Sequence, residues 1–210
     1  MSNNKSLRII EAAIKIFAKK GFYNATIADV AKTAEVAEGT IYLYFKNKDD
    51  LLISIFEHSI DLFIQTVNKK LKEITDPKEK LRQFIGVHLK LVEENPNLAQ
   101  VLQIELRQSS KFMKEYRGGK FGEYLHLVEG ILIEGQKQGV FREDLNTHLL
   151  RRALFGAVDE IALDWLLMKK KRYSLEDCAA QVSQMFIEGM ARLDSTLDRP
   201  SRDGLARLVP

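Results

Sequence analysis

The stretch of residues 26–48, TIADVAKTAEVAEGTIYLYFKNK, constrains the fold of this 210-residue chain more than any other. Apolar residues recur at helical spacing after Thr26, whose hydroxyl can cap the N-terminus of a helix. A turn at residues 35–37 and a second short helix, predicted over residues 40–45, come next. The pattern predicts two short helices joined by a tight turn, with a long helix that starts at Lys48.

The second short helix has an outer surface suited to contact with a nucleic acid. Ile41 and Phe45 are four residues apart and can pack inward. Tyr42 and Tyr44 cover the other sides, and a tyrosine can donate to a phosphate oxygen or meet a thymine methyl group. Lys48 begins a helix whose free N–H groups favour an anion. The spacing favours insertion into a major groove. The alternative is a surface helical hairpin with solvated lysines.

The same residues resemble a known family of DNA-binding proteins. The segment GTIYLYFKNKDDLL is similar to the end of the helix-turn-helix in TetR-type bacterial transcriptional repressors, which carries a T-x-Y-x-[HYF]-F/V-x-x-K pattern. The positions that match it are Thr40, Tyr42, Tyr44 and Lys48. The resemblance implies a regulator that binds operator DNA and is not an enzyme. The candidate DNA-binding residues are Thr26, Lys32, Gly39, Thr40, Tyr42, Tyr44 and Lys48.

Bulk composition predicts a folded chain but does not identify a nucleic-acid binder. Apolar residues make up 45% of the chain, and the formal net charge is only +3. The single cysteine, Cys178, excludes an internal disulfide and a cysteine-based zinc site, and its apolar helical face predicts a small core residue. Because no signal peptide or membrane-length apolar run is visible, we expect a cytoplasmic protein without membrane contact.

Helical periodicity along the chain predicts an all-α protein of about nine helices. We expect a three-helix helix-turn-helix DNA-binding domain at residues 1–47 and a helical ligand-binding and dimerisation domain at residues 48–195. A helix over residues 48–73 is expected to connect the DNA-binding helices to the rest of the protein. Residues 196–210 lack helical periodicity and end in LVP, which begins a common protease-tag site, so we assign this tail no function.

A carboxylate stands on the apolar stripe of residues 98–108. Leu98, Leu102 and Glu105 share one face of a regular helix, so Glu105 occupies a position where leucine or isoleucine is expected. A charge there needs a partner because desolvation is costly. Two interpretations remain open for Glu105, namely an ion pair with an arginine of a neighbouring helix and a polar anchor that lines a ligand pocket.

The last two predicted helices, at residues 146–170 and 174–194, carry more apolar surface than one monomer needs. The first has a second stripe with small members, made of Leu149, Ala153, Gly156 and Glu160. Small residues let helix backbones approach closely. The pattern favours half of a four-helix interface in a homodimer. The alternative is that both helices only close the core of the monomer.

Signals for metal binding or catalysis are weak. Glu123 and His126 form an E-x-x-H pair, but a di-iron site needs a second such pair and two further glutamates. None of the other three histidines follows a glutamate at that spacing, and G-x-S-x-G, H-E-x-x-H and P-loop motifs do not occur in the sequence. We therefore expect no metal site and no catalytic site.

Segments beyond the helix-turn-helix narrow the resemblance. IYLYFKNKDDLLISIF, LQIELRQS, EGQKQGVF and FGAVDEIALDWL look like the acyl-CoA-responsive TetR-type regulators of fatty-acid degradation, and the likeness covers residues 7–193. It implies a dimeric repressor that binds a (pseudo)palindromic operator, is released by long-chain acyl-CoA and needs no further cofactor. One alternative is a TetR-type repressor of an efflux pump that senses a hydrophobic compound. Another, from a different class, is an acyl-transfer or thioesterase enzyme.

A long-chain acyl-CoA requires two kinds of residue in its binding site. An acyl chain needs an apolar channel, and the phosphates of CoA need cations. The candidate ligand-binding residues are Phe84, Leu102, Glu105, Leu106, Arg107, Gln108, Tyr124, Leu125, Val128, Arg152, Phe155, Asp159 and Trp165. Further candidate cations for the phosphates are Lys111, Arg117, Lys120 and Arg151.

Overall fold

The computed structural model describes residues 2–106 and 119–192, which form nine α-helices and one π-helical turn. The helices are α1 (Ser2–Lys20), α2 (Ile27–Ala34), α3 (Glu38–Tyr42), α4 (Lys48–Leu71), α5 (Pro77–Glu94), α6 (Pro96–Gln100), α7 (Gly119–Lys137), α8 (Thr147–Leu167) and α9 (Leu175–Met190). Within these two ranges the only β pairing is an isolated bridge between Phe141 and Ala191. The prediction of an all-α chain with about nine helices is confirmed.

Several predicted features lie outside the described residues. They are Arg107, Gln108, Lys111, Arg117 and the tail at residues 196–210. None of the helices in the described ranges combines the length and the apolar content needed to cross a bilayer.

Helices α1, α2 and α3 pack around a small core that contains Phe17, Val30 and Ile41. Helix α2 starts where the sequence predicts, because the Thr26 hydroxyl accepts the N–H of Asp29 at 3.1 Å while the Asp29 carboxylate accepts the N–H of Thr26. The turn after α2 is possible because Glu35 adopts a left-handed conformation, with φ of 54°. We call this three-helix unit the head.

The second short helix is displaced from its predicted position. It spans Glu38–Tyr42 and not residues 40–45, so Tyr42 is its last residue and Tyr44 lies beyond its end. The cause is the capping of α4, because the Asn47 side chain accepts the N–H of Asp50 while the Asp50 carboxylate accepts the N–H of Lys46. These capping bonds compete with a longer α3 for the same backbone.

Helix α4 connects the head to the remaining helices, which we call the body. Its first half contributes Leu51, Leu52 and Ile55 to the core of the head. Its second half contributes Phe63 and Val67 to the core of the body. The predicted connecting helix is therefore present, and it belongs to both cores.

The chain departs from regular helix immediately after α6. Val101–Glu105 forms a π-helical turn, in which the N–H of Leu106 bonds to the carbonyl of Val101. A π turn accommodates one extra residue and rotates the following residues by up to about 100° relative to an uninterrupted α-helix. Glu105 therefore leaves the face shared by Leu98 and Leu102, although the sequence pattern places all three together.

Helices α5, α7, α8 and α9 surround the core of the body. The last turn of α7 packs closely on the segment that follows it, since a Cβ on Gly135 would lie 2.0 Å from the Phe141 ring. Gly139 then turns the chain in a left-handed conformation, with a φ of 69°, two residues after α7 ends. Cys178 is half-buried against the same core, and burial raises the pKa of its thiol.

Candidate functional site

The outer surface of the head displays most of the predicted DNA-binding residues. Tyr42 is 51% exposed at the end of α3. A Cβ on Gly39 would meet nothing within 4 Å, so the backbone there is open to close approach. Thr26 and Lys32 are exposed, while Thr40 is half-buried. Tyr44 is also half-buried, because it packs against the core of the head. The exposed members lie along α2 and α3.

Thr26 and its neighbours form a closed polar network at the start of α2. The Thr26 hydroxyl donates to the Asp29 carboxylate at 2.8 Å, and Lys20 pairs with the same carboxylate at 2.6 Å. The Lys20 ammonium, followed by the hydrogen bonds from Thr26, lowers the pKa of Asp29 to about 2. Asp29 is therefore ionised at neutral pH and holds the start of α2 in place.

Lys48 has a structural role that differs from the predicted contact with DNA. Its ammonium donates to the carbonyls of Phe22 at 2.8 Å, Ala25 at 3.0 Å and Tyr23 at 3.2 Å. It also lies 4.6 Å from the centre of the Phe22 ring. An ammonium has three donors, and all three are engaged here. Lys48 therefore fixes the loop between α1 and α2 to the start of α4, which positions the head, and it is not available to a phosphate in this arrangement.

An apolar cavity of about 820 Å³ lies between the head and the body. Helices α1, α4, α5, α6, α7 and α8 all contribute to its wall. Six of the predicted ligand-binding residues line it, namely Leu102, Leu106, Tyr124, Arg152, Phe155 and Asp159. Its volume is within the range of natural ligand sites, and its wall is mostly apolar with a few polar groups.

Five predicted residues do not line this cavity, namely Phe84, Glu105, Leu125, Val128 and Trp165. Phe84, Leu125 and Val128 are buried in the closed core of the body. Trp165 lies near the end of α8, where the Lys171 ammonium sits 3.8 Å from its ring centre. Helical periodicity marks an apolar face as buried, but it does not distinguish a packed core from the wall of a cavity.

Glu105 fits neither of the two interpretations made from the sequence. It does not line the cavity, and no arginine in the described ranges forms an ion pair with it. Its carboxylate accepts the backbone N–H of Phe22 at 2.7 Å. Gly21, with a φ of 77°, turns the chain at the end of α1 and brings this N–H towards the body. The π turn is the physical reason, because it rotates Glu105 towards the head.

Two polar pairs interrupt the apolar wall. The Gln103 amide donates to the Asp159 carboxylate at 2.7 Å. His88 Nδ1 and the Tyr124 hydroxyl lie 3.0 Å apart. Burial lowers the pKa of His88 to about 4, against a smaller opposing effect of Asp159. Burial, reinforced by Asp159, raises the pKa of Tyr124. Both side chains are therefore neutral at neutral pH.

Several residues that line the cavity were missed by sequence reasoning. Leu7, Ile10 and Ile14 of α1 face it, although the sequence analysis places residues 1–47 in the DNA-binding domain and not among the ligand-binding candidates. His88 also lines the cavity, and it lies on the apolar face of α5 at the helical spacing of the core residues around it. The one sequence signal for a cavity position here is a histidine among apolar residues at helical spacing. This signal does not by itself distinguish a core position from a cavity wall.

Helices α8 and α9 present an apolar face to solvent. Leu149 is 67% exposed, Leu167 is 63% exposed and Met185 is 60% exposed. Ala153, Gly156 and Glu160 are exposed on the Leu149 side of α8, as the second stripe predicts. We call this surface the α8–α9 face. Exposed apolar side chains beside small residues are typical of a helix face that packs against another helix.

Comparison with known proteins identifies two matching families. The family described as bacterial regulatory proteins, tetR family, matches residues 9–55. The family described as YsiA-like protein, C-terminal region, matches residues 56–189. The two matches adjoin within α4, the helix shared by the head and the body.

Individual relatives agree with these families. The fatty acid metabolism regulator protein of Bacillus subtilis is 38% identical over 186 residues, which cover 89% of this chain and 95% of the relative. The structure of the B. subtilis regulator FadR in complex with stearoyl-CoA superposes with a TM-score of 0.82 at 38% identity, over 88% of this chain and 98% of that one. FadR from Bacillus halodurans gives a TM-score of 0.81 at 37% identity, over 87% and 98%. The helix-turn-helix head, the helical body and these matches place the chain in the TetR family of bacterial transcriptional regulators, whose members bind DNA and are not enzymes.

Proposed function

We propose that this protein is a dimeric repressor of fatty-acid degradation genes that leaves a (pseudo)palindromic operator when long-chain acyl-CoA binds. The observation that carries the proposal is the apolar cavity of about 820 Å³ at the junction of head and body. An acyl chain is apolar and flexible, which suits a wall built mainly from apolar side chains. The likeness to the B. subtilis regulator in complex with stearoyl-CoA adds support.

The cavity gives a ligand direct access to the head. Leu7, Ile10 and Ile14 of α1 form part of its wall, opposite Leu102 of the π turn and Tyr124 of α7. An acyl chain that fills the cavity contacts the head and the body at once. If it fits best when α1 is displaced from the body, binding shifts the population towards that arrangement.

The π turn offers a second connection between ligand and head. On one side, Gln103 lies at the cavity wall and bonds to Asp159. Two residues later, Glu105 accepts the N–H of Phe22 in the head. A third bond runs from the Gln100 amide to the carbonyl of Ala18 at 3.0 Å. A ligand that moves this turn therefore moves the end of α1, and the loop held by Lys48 moves with it.

Dimerisation supplies the two heads that a palindromic operator requires. TetR-family regulators bind operator DNA as dimers. We assign the interface to the α8–α9 face, because small residues there allow close approach of helix backbones and because apolar side chains are exposed. The two heads would then read half-sites one or more helical turns apart, at roughly 34 Å per turn. A modest change in head separation is enough to lose one half-site.

Binding of operator DNA in the presence and absence of stearoyl-CoA tests the proposal. We expect the ligand to weaken operator affinity by about 5- to 150-fold, the range of typical allosteric coupling. Operator DNA must weaken ligand binding by the same factor, and the ligand alone should raise the thermal midpoint. Unchanged operator affinity at saturating stearoyl-CoA would contradict the proposal. Release by an exogenous hydrophobic compound instead would support the efflux-type alternative.

A further inference from the structure

His88 is a polar group in the cavity that the function described above does not use. It lies on α5 and lines the cavity among apolar residues. Its ring is held on two sides, because Nδ1 faces the Tyr124 hydroxyl at 3.0 Å and the ring packs edge-on against Phe63 with centroids 5.8 Å apart. The orientation of the second ring nitrogen, Nε2, is therefore fixed by the protein. Within the described parts of the chain, Nε2 makes no hydrogen bond.

The hydrogen bond to Tyr124 decides which nitrogen carries the proton. Burial keeps the imidazole neutral, so one nitrogen is a donor and the other is an acceptor. The bond to His88 is the one hydrogen bond that the Tyr124 hydroxyl makes in the described ranges. If the hydroxyl donates to Nδ1, its proton is satisfied, and Nε2 carries the N–H. In the opposite tautomer the buried hydroxyl proton lacks an acceptor, which costs free energy. The favoured arrangement presents an N–H donor to the cavity.

The surrounding charges restrict the oxygen that can accept this N–H. Asp159 lies close enough to act electrostatically on both His88 and Tyr124. A second carboxylate next to Asp159 would be repelled by its negative charge. The other charged groups of the cavity wall are Glu11 and Arg152, and the Arg152 guanidinium sits 5.6 Å from the centre of the Phe121 ring. A neutral carbonyl oxygen satisfies the donor without adding charge beside Asp159.

We propose that His88 Nε2 donates a hydrogen bond to the carbonyl oxygen of a bound acyl thioester, so that the cavity selects thioesters over chains that lack the carbonyl. This inference rests on the proposed function, since it assumes that a long-chain acyl-CoA occupies the cavity. Tyr124 is a positioning residue in this scheme, because it sets the tautomer of His88 and does not itself contact the ligand oxygen. The apolar wall binds the chain, and His88 recognises one atom of it.

The test compares stearoyl-CoA with S-octadecyl-CoA, a thioether in which a methylene group replaces the carbonyl. The wild-type dimer should bind the thioester about tenfold more tightly, because the thioether leaves a buried donor without a partner. In His88→Phe, which keeps a ring of similar size, the two ligands should bind equally. Tyr124→Phe should reduce the preference in the same direction, and it provides a second variant if His88→Phe does not fold.

His58→Phe is the matched variant, because His58 also lines the cavity but, among the residues that the structure describes, has no tyrosine partner that fixes its ring. It should keep the thioester preference of the wild type. Equal binding of the two ligands by the wild type would overturn the proposal, as would a preference that persists in His88→Phe or disappears in His58→Phe. Free stearate bound more tightly than stearoyl-CoA, in a manner that depends on His88, would also overturn it. Failure of the proposed function is distinguishable, because the wild type would then bind neither CoA ligand.

Discussion

The ammonium of Lys48 binds backbone carbonyls of the head, although Lys48 belongs to a DNA-binding motif. Three backbone carbonyls in residues 22–25 surround it at 2.8 to 3.2 Å. Tyr42, six residues earlier, has its side chain exposed at the end of α3. At the scale of single residues, the motif therefore contains two kinds of position, one that supports the head and one that faces outward.

Substitutions at these two residues should separate the roles. Tyr42→Ala should weaken operator binding by at least about tenfold and leave the free energy of unfolding within about 0.5 kcal/mol, because the side chain is exposed. Lys48→Ala should lower the free energy of unfolding by about 1–3 kcal/mol, because several carbonyls lose their donor. Chemical denaturation and operator titration measure both quantities. If Lys48→Ala has unchanged stability but weakened DNA binding, the result would support the predicted contact between Lys48 and DNA.

Burial of His88 predicts a specific dependence of stability on pH. The folded-state pKa of about 4 lies below the ordinary value of 6.5, so the unfolded chain binds more protons between these two values. The stability associated with His88 is fully present above pH 6.5 and is lost as the pH falls towards 4, at no more than about 1.4 kcal/mol per pH unit. Urea denaturation at pH 7 and pH 5 measures this loss. His88→Phe should show a smaller loss, and an identical loss in both proteins would contradict the assignment.

At the scale of elements, the π turn at Val101–Glu105 decides how the head and the body are joined. The residues before the turn belong to α6, and Leu102, the second residue of the turn, lines the cavity. Its last residue, Glu105, bonds to the head. One extra residue in a helical turn thus separates two contacts that a regular helix would place on one face. They are the contact of Leu102 with the cavity and the hydrogen bond of Glu105 to the head.

Glu105 offers a test of this connection. Glu105→Ala removes the acceptor for the N–H of Phe22, whereas Glu105→Gln keeps a carbonyl oxygen in reach of it. We expect Glu105→Ala to retain stearoyl-CoA binding but to lose much of the ligand-dependent release of operator DNA. Glu105→Gln should release DNA nearly as the wild type does. The measurement is the ratio of operator affinities with and without ligand. An Ala variant with the full wild-type ratio would exclude the π turn as a coupling element.

Two glycines of α7 should respond in opposite ways to the same substitution. A Cβ on Gly135 would lie 2.0 Å from the ring of Phe141, so Gly135→Ala forces that packed ring to move. We expect a loss of about 1–3 kcal/mol in the free energy of unfolding. Gly130 is exposed and has open space around the same position, so Gly130→Ala should stabilise the protein by about 0.5–1 kcal/mol. Thermal or urea denaturation of both variants measures the difference. Equal effects would contradict the close packing of α7 on Phe141.

At the scale of the whole molecule, three surfaces act together in the proposed repressor. They are the outer side of α2 and α3, the cavity between head and body, and the α8–α9 face. Residues of α1 form part of the cavity wall, so a ligand can act on the head directly. The connecting helix α4 is then not the only route from the cavity to the head. In the proposed mechanism, ligand occupancy and head position are therefore linked by direct contact with α1 as well as by α4.

The α8–α9 face can be tested by charge insertion. Met185→Glu places a charge in the exposed apolar surface that we assign to the dimer interface. Burial of an unpaired charge is costly, so the variant should sediment as a monomer at concentrations where the wild type is a dimer. It should also lose most of its operator affinity. Leu43→Glu is the control for association, since Leu43 is 81% exposed on the head. A Met185→Glu protein that remains dimeric would place the interface elsewhere.

Much of the architecture could be predicted from local sequence signals. Thr26 and Asn146 cap helices through their own side chains, Gly139 ends one through a left-handed conformation, and helical periodicity identifies the long elements. These signals act over a few residues and are visible in sequence. The family resemblance depends on the same short motifs, and the comparisons confirm it. The site was predicted only in part, because Leu102, Tyr124 and Phe155 line the cavity whereas Phe84 and Val128 do not.

The amino-acid sequence by itself determined that this chain is helical, that it carries a helix-turn-helix and that it resembles the regulators of fatty-acid degradation. Only the tertiary structure decided which apolar faces close a core and which surround a cavity, that α1 contributes to that cavity, and where Lys48 and Glu105 find their partners. The reason is physical. A helical face is buried in the same way by a neighbour or by a ligand, and the partners of Lys48 and Glu105 are backbone atoms about 25 and 83 residues away, which no local pattern identifies.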